Sequence, residues 1–261
     1  MDKEFEKKLA RSLGAEDARL IPFLPYLLQD LKNFGTPVKP IIKMLKEHIP
    51  NIASCKILDL GCGKGFVGLP ITKETGAAVH FVDIMPDFVE SVKTKAKEMN
   101  IANCSFATED IRLTAKTARG FDIVLLCSVG DALGNSEATV KALSQTVKKG
   151  GYIIIEESYF IGEKRDLKCS FDCEMFSDWL NAFEKASVRI VAQIDEEAQS
   201  AADEINFDSD NEHIAKRAAE LSERHPDKKE LFDGFVQSQL NECDDLTDRL
   251  QTSIWFLQTE K

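Results

Sequence analysis

Several familiar sequence motifs are missing from this chain of 261 residues, and each absence argues against one class of ligand, partner or site. No G-x-x-x-x-G-K-[S/T] string occurs, which argues against a phosphate-gripping loop of that type. No apolar run approaches the ~20 residues that cross a bilayer, so we expect no membrane partner. The charged first residues lack the apolar segment of a secretory signal. The four histidines show no ligand spacing, so they predict no metal site.

Cysteine pairing is also lacking. The seven cysteines are odd in number and scattered, and without a secretory signal they indicate reduced thiols in a cytoplasmic protein. Cys169 and Cys173 allow a soft-metal hypothesis, because thiolates bind soft ions. Their spacing has no second Cys or His pair nearby, so we interpret them as structural thiols and expect no metal.

An excess of positive charge is absent as well. The net charge is −11, and residues 194–245 hold 16 acidic against 5 basic side chains, so the rest of the chain is neutral overall. Nucleic-acid binding requires a basic surface. We therefore expect no nucleic-acid partner.

What is present is a glycine-rich turn after a short apolar run. Residues 56–60 predict a strand, and residues 59–65 read D-L-G-C-G-K-G before a helical pattern. Alternate glycines allow a sharp turn and the close approach of a ligand, and a helix that follows points free N–H groups at that ligand. Such a unit opens a parallel sheet whose ligands lie at the carboxyl ends of the strands. The dinucleotide spacing G-x-G-x-x-G fails, because its third glycine falls on Phe66.

The acid beside the glycines indicates the kind of ligand. Asp59 lies two residues before the first glycine, where a carboxylate repels a pyrophosphate and suits a cationic or amino-bearing ligand. The string 59–65 resembles the glycine motif of the class I methyltransferases that depend on S-adenosylmethionine (SAM). SAM carries a sulfonium and an ammonium group and no phosphate, which agrees with the charge argument. The resemblance covers about residues 50–160.

The alternation of strands and helices from residue 55 onward favours a parallel sheet. With the resemblance, it predicts an α/β fold: a doubly wound, mostly parallel, seven-stranded Rossmann-like sheet with an antiparallel last strand and a helical cap. We expect a helix from Lys64, and a later helix that ends at Lys149-Gly150-Gly151 before a strand from Tyr152. The predicted division is an N-terminal helical cap (1–50), a SAM-binding core (51–193 and 251–261) and an acidic helical insertion (194–250).

The resemblance implies roles for residues that end the later strands. Asp83 closes the second strand 24 residues after Asp59, where an acid accepts hydrogen bonds from ribose hydroxyls; the alternative is a solvated aspartate that caps the next helix. Asp110 would accept from the adenine amino group while Ile111 packs on the ring, although the adjacent Glu109 leaves a shift of one position open. The predicted cofactor-binding residues are Asp59, Leu60, Gly61, Cys62, Gly63, Gly65, Asp83, Ile84, Met85, Asp110, Ile111, Cys127 and Ser128.

The acceptor side is less defined. A general base is needed only if the acceptor atom carries a proton. Asp131 is the preferred catalytic residue because it follows the fourth strand directly, with Glu156, Glu157 and Tyr159 as alternatives. Each of these groups also has a simpler interpretation as a positioning or solvated side chain.

Two segments outside the core could cover the site. Residues 33–36 are expected to form a loop that closes over the cofactor or, more simply, joins helices that cover a sheet edge. In that loop Thr36 would cap the next helix, with Pro37 at its first position. The insertion is interpreted as a packing element, a substrate cover or a dimer surface, which leaves a homodimer open. The predicted function is SAM-dependent methylation of a small molecule; the alternatives are a protein methyltransferase and a non-catalytic SAM-binding or partner-binding module.

Overall fold

One mixed sheet organises the protein. The computed structural model describes residues 3–164, 166–168, 173–195 and 206–260. The strands are β1 (Lys56–Leu60), β2 (Ala78–Asp83), β3 (Cys104–Thr108), β4 (Phe121–Cys127), β5 (Val147–Phe160), β6 (Glu174–Met175), β7 (Val188–Asp195) and β8 (Gln251–Thr259). Along the sheet their order is β3–β2–β1–β4–β5–β8–β7, and β6 pairs with the end of β5.

Helices cover both faces of the sheet and one of its edges. They are α1 (Lys3–Arg11), α2 (Leu24–Leu27), α3 (Val38–His48), α4 (Gly68–Thr75), α5 (Pro86–Glu98), α6 (Ile111–Thr117), α7 (Ser136–Thr146), α8 (Phe176–Lys185), α9 (Phe207–Arg224) and α10 (Lys229–Asp248). Within the described ranges, no helix combines the length and the apolar character that a bilayer crossing requires.

The strand directions confirm the predicted α/β sheet. β1 pairs in parallel with β2 on one side and with β4 on the other, so the strand order reverses at β1. Open α/β sheets bind ligands at such a switch point, at the carboxyl ends of the strands. β8 runs antiparallel to both β5 and β7, as predicted for the last strand.

Alternation along the strands builds a core on each face of the sheet. Ile57 packs with Phe81 and Phe256 on one face, and Leu58 packs with Val82 and Trp255 on the other. All six side chains are fully buried. Because successive strand residues point to opposite faces, this pattern fixes the register and hence the strand ends.

The sheet has one strand more than the seven predicted. β6 is a two-residue strand that pairs Tyr159 with Glu174 and Phe160 with Met175. A bridge this short leaves no periodic pattern in the sequence. Cys169 lies outside the described residues.

The helix after β1 begins at Gly68 and not at Lys64, so that prediction is wrong. The turn takes up more residues than the spacing suggested, because Gly61, Gly63 and Gly65 all have positive φ (+70°, +49° and +77°). The Gly65 N–H then donates to the Cys62 carbonyl, which closes a turn before the helix starts.

The expected boundary before the fifth strand is also wrong. Helix α7 already ends at Thr146, and Val147 pairs with Phe121 of β4 across a register shift. The double glycine lies inside the strand as an irregularity, with Gly150 at φ +71°. A Cβ on Gly151 would lie 2.8 Å from the Lys148 carbonyl oxygen. The glycines therefore serve the bulge and not a helix end.

Helices α9 and α10 lie between β7 and β8 along the chain. They pack against each other and contact the N-terminal helices. The Arg217 guanidinium pairs with Asp30 at 2.5 Å, and the Ser238 hydroxyl donates to the Gly14 carbonyl at 2.6 Å. Apolar residues of both segments share one buried cluster, which includes Leu24 and Phe232. Residues 196–205 of the insertion lie outside the described residues, and the division into cap, core and insertion stays a proposal.

Candidate active site

A cavity opens at the carboxyl ends of β1, β2 and β3, beside the switch point; we call it the strand-end cavity. Of the thirteen predicted cofactor-binding residues, all except Leu60 and Gly65 line it. Leu60 points into the core, and Gly65 packs under Val92 and Leu69. The sequence did not predict the remaining lining residues, apart from the loop 33–36; they are Lys8, Leu9, Ser12, Leu13, Phe34, Thr36, Phe66, Val67, Arg112, Val129 and Ala132.

The glycine loop is closed in by protein side chains. A Cβ on Gly61 would lie 2.6 Å from a Val129 methyl group, and one on Gly63 would lie 2.7 Å from the Phe34 ring. Both positions also have positive φ, which any residue other than glycine adopts at a cost. Glycine is thus required here both for the turn and for the approach of the neighbouring loops.

Asp59 is the most unusual group in the strand-end cavity. Its side chain is buried, and its Oδ2 atom has no hydrogen-bond partner among the described residues. Burial, together with the nearby charge of Asp83, raises the pKa of Asp59 to about 7. Asp59 lines the cavity as a residue, and since a carboxylate has about four acceptor sites, the group has capacity for a donor from a ligand.

Asp83 holds the glycine loop to β2. Its Oδ2 accepts a hydrogen bond from the Gly63 N–H, and its Oδ1 accepts one from the Met85 N–H, each at 2.8 Å. Burial raises the pKa of this carboxyl group, while those backbone donors act to lower it. Since a carboxylate has about four acceptor sites, both oxygens can still accept from a ligand.

Asp110 caps the N-terminus of α6 and forms an ion pair with Arg112. It accepts from the Arg112 N–H at 2.9 Å and from the Arg112 guanidinium at 2.6 Å. Burial acts to raise the pKa of Asp110, but the Arg112 hydrogen bonds hold it below its ordinary value. Glu109 is exposed and bonds to Thr114, and it does not line the cavity. Of the two adjacent acids, Asp110 is thus the one in position.

A hydroxyl–carboxyl network around the buried Glu156 lies at the end of β4. The Ser128 hydroxyl donates to Glu156 at 2.8 Å, and the Thr36 hydroxyl bonds to both Ser128 and Glu156. Burial raises the pKa of Glu156 to about 7, although both hydroxyls act to lower it. Thr36 therefore does not cap α3 as predicted: Pro37 occupies the N-cap position and makes no side-chain cap.

Lys64 ties the glycine loop to the N-terminal cap. Its Nζ donates to the carbonyl oxygens of Leu28, Gln29 and Leu31 at 2.7, 2.9 and 3.4 Å. The side chain is 7 % exposed, and burial lowers its pKa to about 8. The lysine of the glycine motif thus binds backbone carbonyl groups of the segment that follows α2. Its ammonium group is not directed at a phosphate site, as it would be in a phosphate-binding loop.

A second, larger cavity of about 520 Å³ lies next to the first, between the cap, the sheet edge and the insertion. Ser128 and Phe34 line both cavities. Asp131, the predicted catalytic residue, lines this second cavity and forms an ion pair with Lys8 at 3.4 Å. Its catalytic role stays a proposal. No three His, Cys, Asp or Glu side chains of the described part could hold a metal ion together.

Comparison with known proteins agrees with this geometry. A family model described as a methyltransferase domain matches residues 52–223, more than half of the chain. The aklanonic acid methyltransferase DauC of a Streptomyces species is 30 % identical over 88 residues, which cover 33 % of this chain and 40 % of that protein. A ubiquinone biosynthesis O-methyltransferase of Coxiella burnetii is 26 % identical over 132 residues, 48 % of this chain and 55 % of that protein. The chain thus spans about half the length of these curated relatives.

Solved structures extend the likeness to the whole fold. A SAM-dependent methyltransferase from Geobacter sulfurreducens, solved with S-adenosyl-L-homocysteine, superposes with a TM-score of 0.69 at 16 % identity and covers 90 % of this chain and 97 % of its own. A similar complex from Thiobacillus denitrificans gives 0.68 at 16 % identity, with 91 % and 98 % covered. The chain therefore belongs to the family of methyltransferase domains and has the fold of the class I SAM-dependent methyltransferases.

Proposed function

We propose that this protein transfers the methyl group of SAM to a small-molecule acceptor. The observation that carries the proposal is that the acids at the ends of the first three strands, Asp59, Asp83 and Asp110, all line one cavity at the switch point. Carboxylates repel phosphate and favour a ligand that offers N–H and O–H donors and positive charge. SAM has these properties.

The residues present fit SAM. The carboxyl group of Asp59, which lines the cavity, can accept from a cationic or amino group, and Asp83 keeps acceptor sites for the two ribose hydroxyls. Asp110 is proposed for the adenine amino group and Ile111 for the adenine ring. Leu60 and Gly65 would support the loop without touching the cofactor. When bound, SAM supplies an electrophilic methyl group on its sulfonium sulfur.

The protein's task is then to align the acceptor and exclude water. The second cavity offers the space, and Ser128 stands on the boundary between the two cavities. Glu156, held by Ser128 and Thr36, is a second candidate beside Asp131 for accepting a proton from the acceptor. Because burial raises its pKa to about 7, Glu156 can gain and lose a proton near neutral pH.

A small molecule is favoured over a protein substrate by the dimensions of the site. A cavity of about 520 Å³ is in the range that small ligands occupy, and the names of the two curated relatives above contain small molecules, aklanonic acid and ubiquinone. A protein methyltransferase and a non-catalytic binding module remain the alternatives. The homodimer and the cytoplasmic location stay predictions.

Calorimetry with SAM tests the cofactor site. Asp83→Asn should weaken SAM binding at least tenfold, because one carboxylate oxygen is replaced by a donor. The exposed Asp87→Asn, four residues further on, is the matched control and should leave the affinity unchanged. Equal affinities for wild type and Asp83→Asn would contradict the assignment. Formation of S-adenosylhomocysteine in a pool of small metabolites separates an enzyme from a binding module.

A further inference from the structure

The second cavity is acidic, and its walls come from four separate parts of the chain; we call it the acidic cavity. Five carboxyl groups line it: Asp131 after β4, Glu156 and Glu157 on β5, Asp210 on α9 and Glu242 on α10. The lining contains a single lysine or arginine, the exposed Arg11 of α1. The cavity and the strand-end cavity meet at Ser128 and Phe34.

Three of these carboxyl groups bond only to neutral donors among the described residues, whereas burial raises the pKa of the fourth, Asp210, and nearby His213, Lys32 and Lys64 act to lower it. Glu156 accepts from hydroxyl groups, Glu157 from the Ser158 N–H at 3.0 Å, and Glu242 from the Gln239 amide at 3.0 Å. Only Asp131 is paired, with Lys8. Burial, together with the charges of Glu156 and Asp131, raises the pKa of Glu157 to about 7. Apart from Asp131, the carboxyl groups of this wall form no ion pair within 4 Å among the described residues, so the lining holds more acidic than basic groups.

The arrangement does not favour a metal ion. A cation such as Ca²⁺ or Mg²⁺ needs several oxygen ligands within about 2.6 Å of one point, and no three His, Cys, Asp or Glu side chains of the described residues converge in that way. The carboxyl groups are instead spread around a volume of about 520 Å³. Between them lie apolar side chains such as Leu31 and Ile214, so the space suits an organic molecule with a charged end and an apolar body.

We propose that the acidic cavity selects a methyl acceptor that carries a positively charged nitrogen, an organic amine with an apolar body. An ammonium nitrogen has no lone pair, so the methyl group passes either to another atom of the acceptor or to this nitrogen after a lining carboxylate has taken its proton, and SAM leaves as S-adenosylhomocysteine. This inference rests on the proposed function and adds the acceptor's class. A cation in the cavity offsets the mutual repulsion of the carboxylates, whereas an anionic acceptor meets the same charges at close range. The attraction of one unit charge at 4 Å is about 1 kcal/mol even in bulk water and grows in a low dielectric.

The test uses SAM with a labelled methyl group and a metabolite extract. The extract is separated on cation and anion exchangers at pH 7 before each fraction is incubated with the protein and SAM. The label should pass to molecules retained by the cation exchanger. Label found only in the neutral or anionic fractions would overturn the proposal, as would the absence of labelled product from a protein that binds SAM in calorimetry. A protein that does not bind SAM would instead refute the proposed function.

A binding experiment gives a readout that does not depend on turnover. With S-adenosylhomocysteine present, phenethylamine should raise the melting temperature, whereas 2-phenylethanol and phenylacetate, which share its ring, should not. Glu157→Gln and Asp210→Asn should each weaken the apparent affinity for phenethylamine about fivefold, the equivalent of one charge at 4 Å in water. Glu212→Gln, an exposed change on the same helix as Asp210, is the control and should have no effect.

Three outcomes of the binding experiment would refute the assignment. The first is an equal or larger shift in melting temperature with 2-phenylethanol or phenylacetate. The second is the absence of a shift with phenethylamine, and the third is a shift that both carboxylate variants leave unchanged. In each case the carboxyl groups would be neutral structural groups that do not stabilise a bound cation.

Discussion

Replacing Lys64 by methionine tests how the cap is held over the site. The ammonium group donates to three backbone carbonyls that follow α2, and the same cap supplies Phe34 and Thr36 to the strand-end cavity. Methionine keeps the apolar stem of the side chain and removes the donors. We expect the cap to loosen while the sheet keeps its structure.

The magnitude follows from two opposing effects. A hydrogen bond from a charged donor contributes about 1.5–3 kcal/mol, so the two shorter bonds contribute about 3–6 kcal/mol. Burial works against them, since it lowers the pKa of Lys64 to about 8, and each pH unit corresponds to about 1.36 kcal/mol. The difference leaves a loss of up to about 3 kcal/mol in Lys64→Met. At about 2–4 °C per kcal/mol, the melting temperature should fall by several degrees.

Hydrogen exchange locates the effect. Amides of residues 24–36 should exchange faster in Lys64→Met, and SAM should bind more weakly because an open cap no longer completes the cavity. Lys73→Met on α4, an exposed lysine of the same neighbourhood, is the control and should behave as wild type. Unchanged protection of residues 24–36 in Lys64→Met would refute the role of this lysine.

Three further predictions concern the site and the core. Below pH 7 the affinity for SAM should fall about tenfold per pH unit, because burial raises the pKa of Asp59 to about 7 and a cationic ligand needs the ionised form; calorimetry should show a weaker dependence in Asp59→Asn. Gly61→Ala should lower stability by about 1–3 kcal/mol in chemical denaturation, and more than Gly130→Ala, because both have positive φ but only Gly61 has a neighbour, Val129, within contact distance. Trp255→Ala, which empties a fully buried site, should lose about 3–5 kcal/mol in the same assay; a loss below 1 kcal/mol would contradict the packing described.

The first strand could be predicted to the residue because it is a short apolar run that begins at a lysine and ends at a glycine turn, and the end of the second strand at Asp83 was predicted as well. Asp59 and Asp83 followed directly, since a parallel sheet brings the ends of neighbouring strands to one edge. Asp110 needed the family resemblance, and its ion pair with Arg112 was not anticipated. The errors fall at boundaries, such as the start of α4 and the strand around Gly150, where backbone conformation overrides side-chain pattern.

The contacts between distant segments were out of reach. The Lys64 ammonium binds backbone oxygens, which leave no mark in a side-chain pattern. The network of Thr36, Ser128 and Glu156 joins residues up to 120 positions apart, and each of them has an ordinary local interpretation. The sequence shows that the insertion is acidic, because acidic residues outnumber basic ones there. Only the tertiary structure places Asp210 and Glu242 in one cavity with Glu156.

The position of β8 has a consequence for biosynthesis. β8 lies between β5 and β7 and is the strand through which β7 joins the sheet, yet the ribosome translates it more than fifty residues after β7. A nascent polypeptide can therefore assemble β1 to β5 early, while β7 has to wait until the whole insertion has emerged. During that interval the backbone edges of β5 and β7 remain unpaired, which makes this stage of synthesis the one at which aggregation or chaperone capture competes with folding.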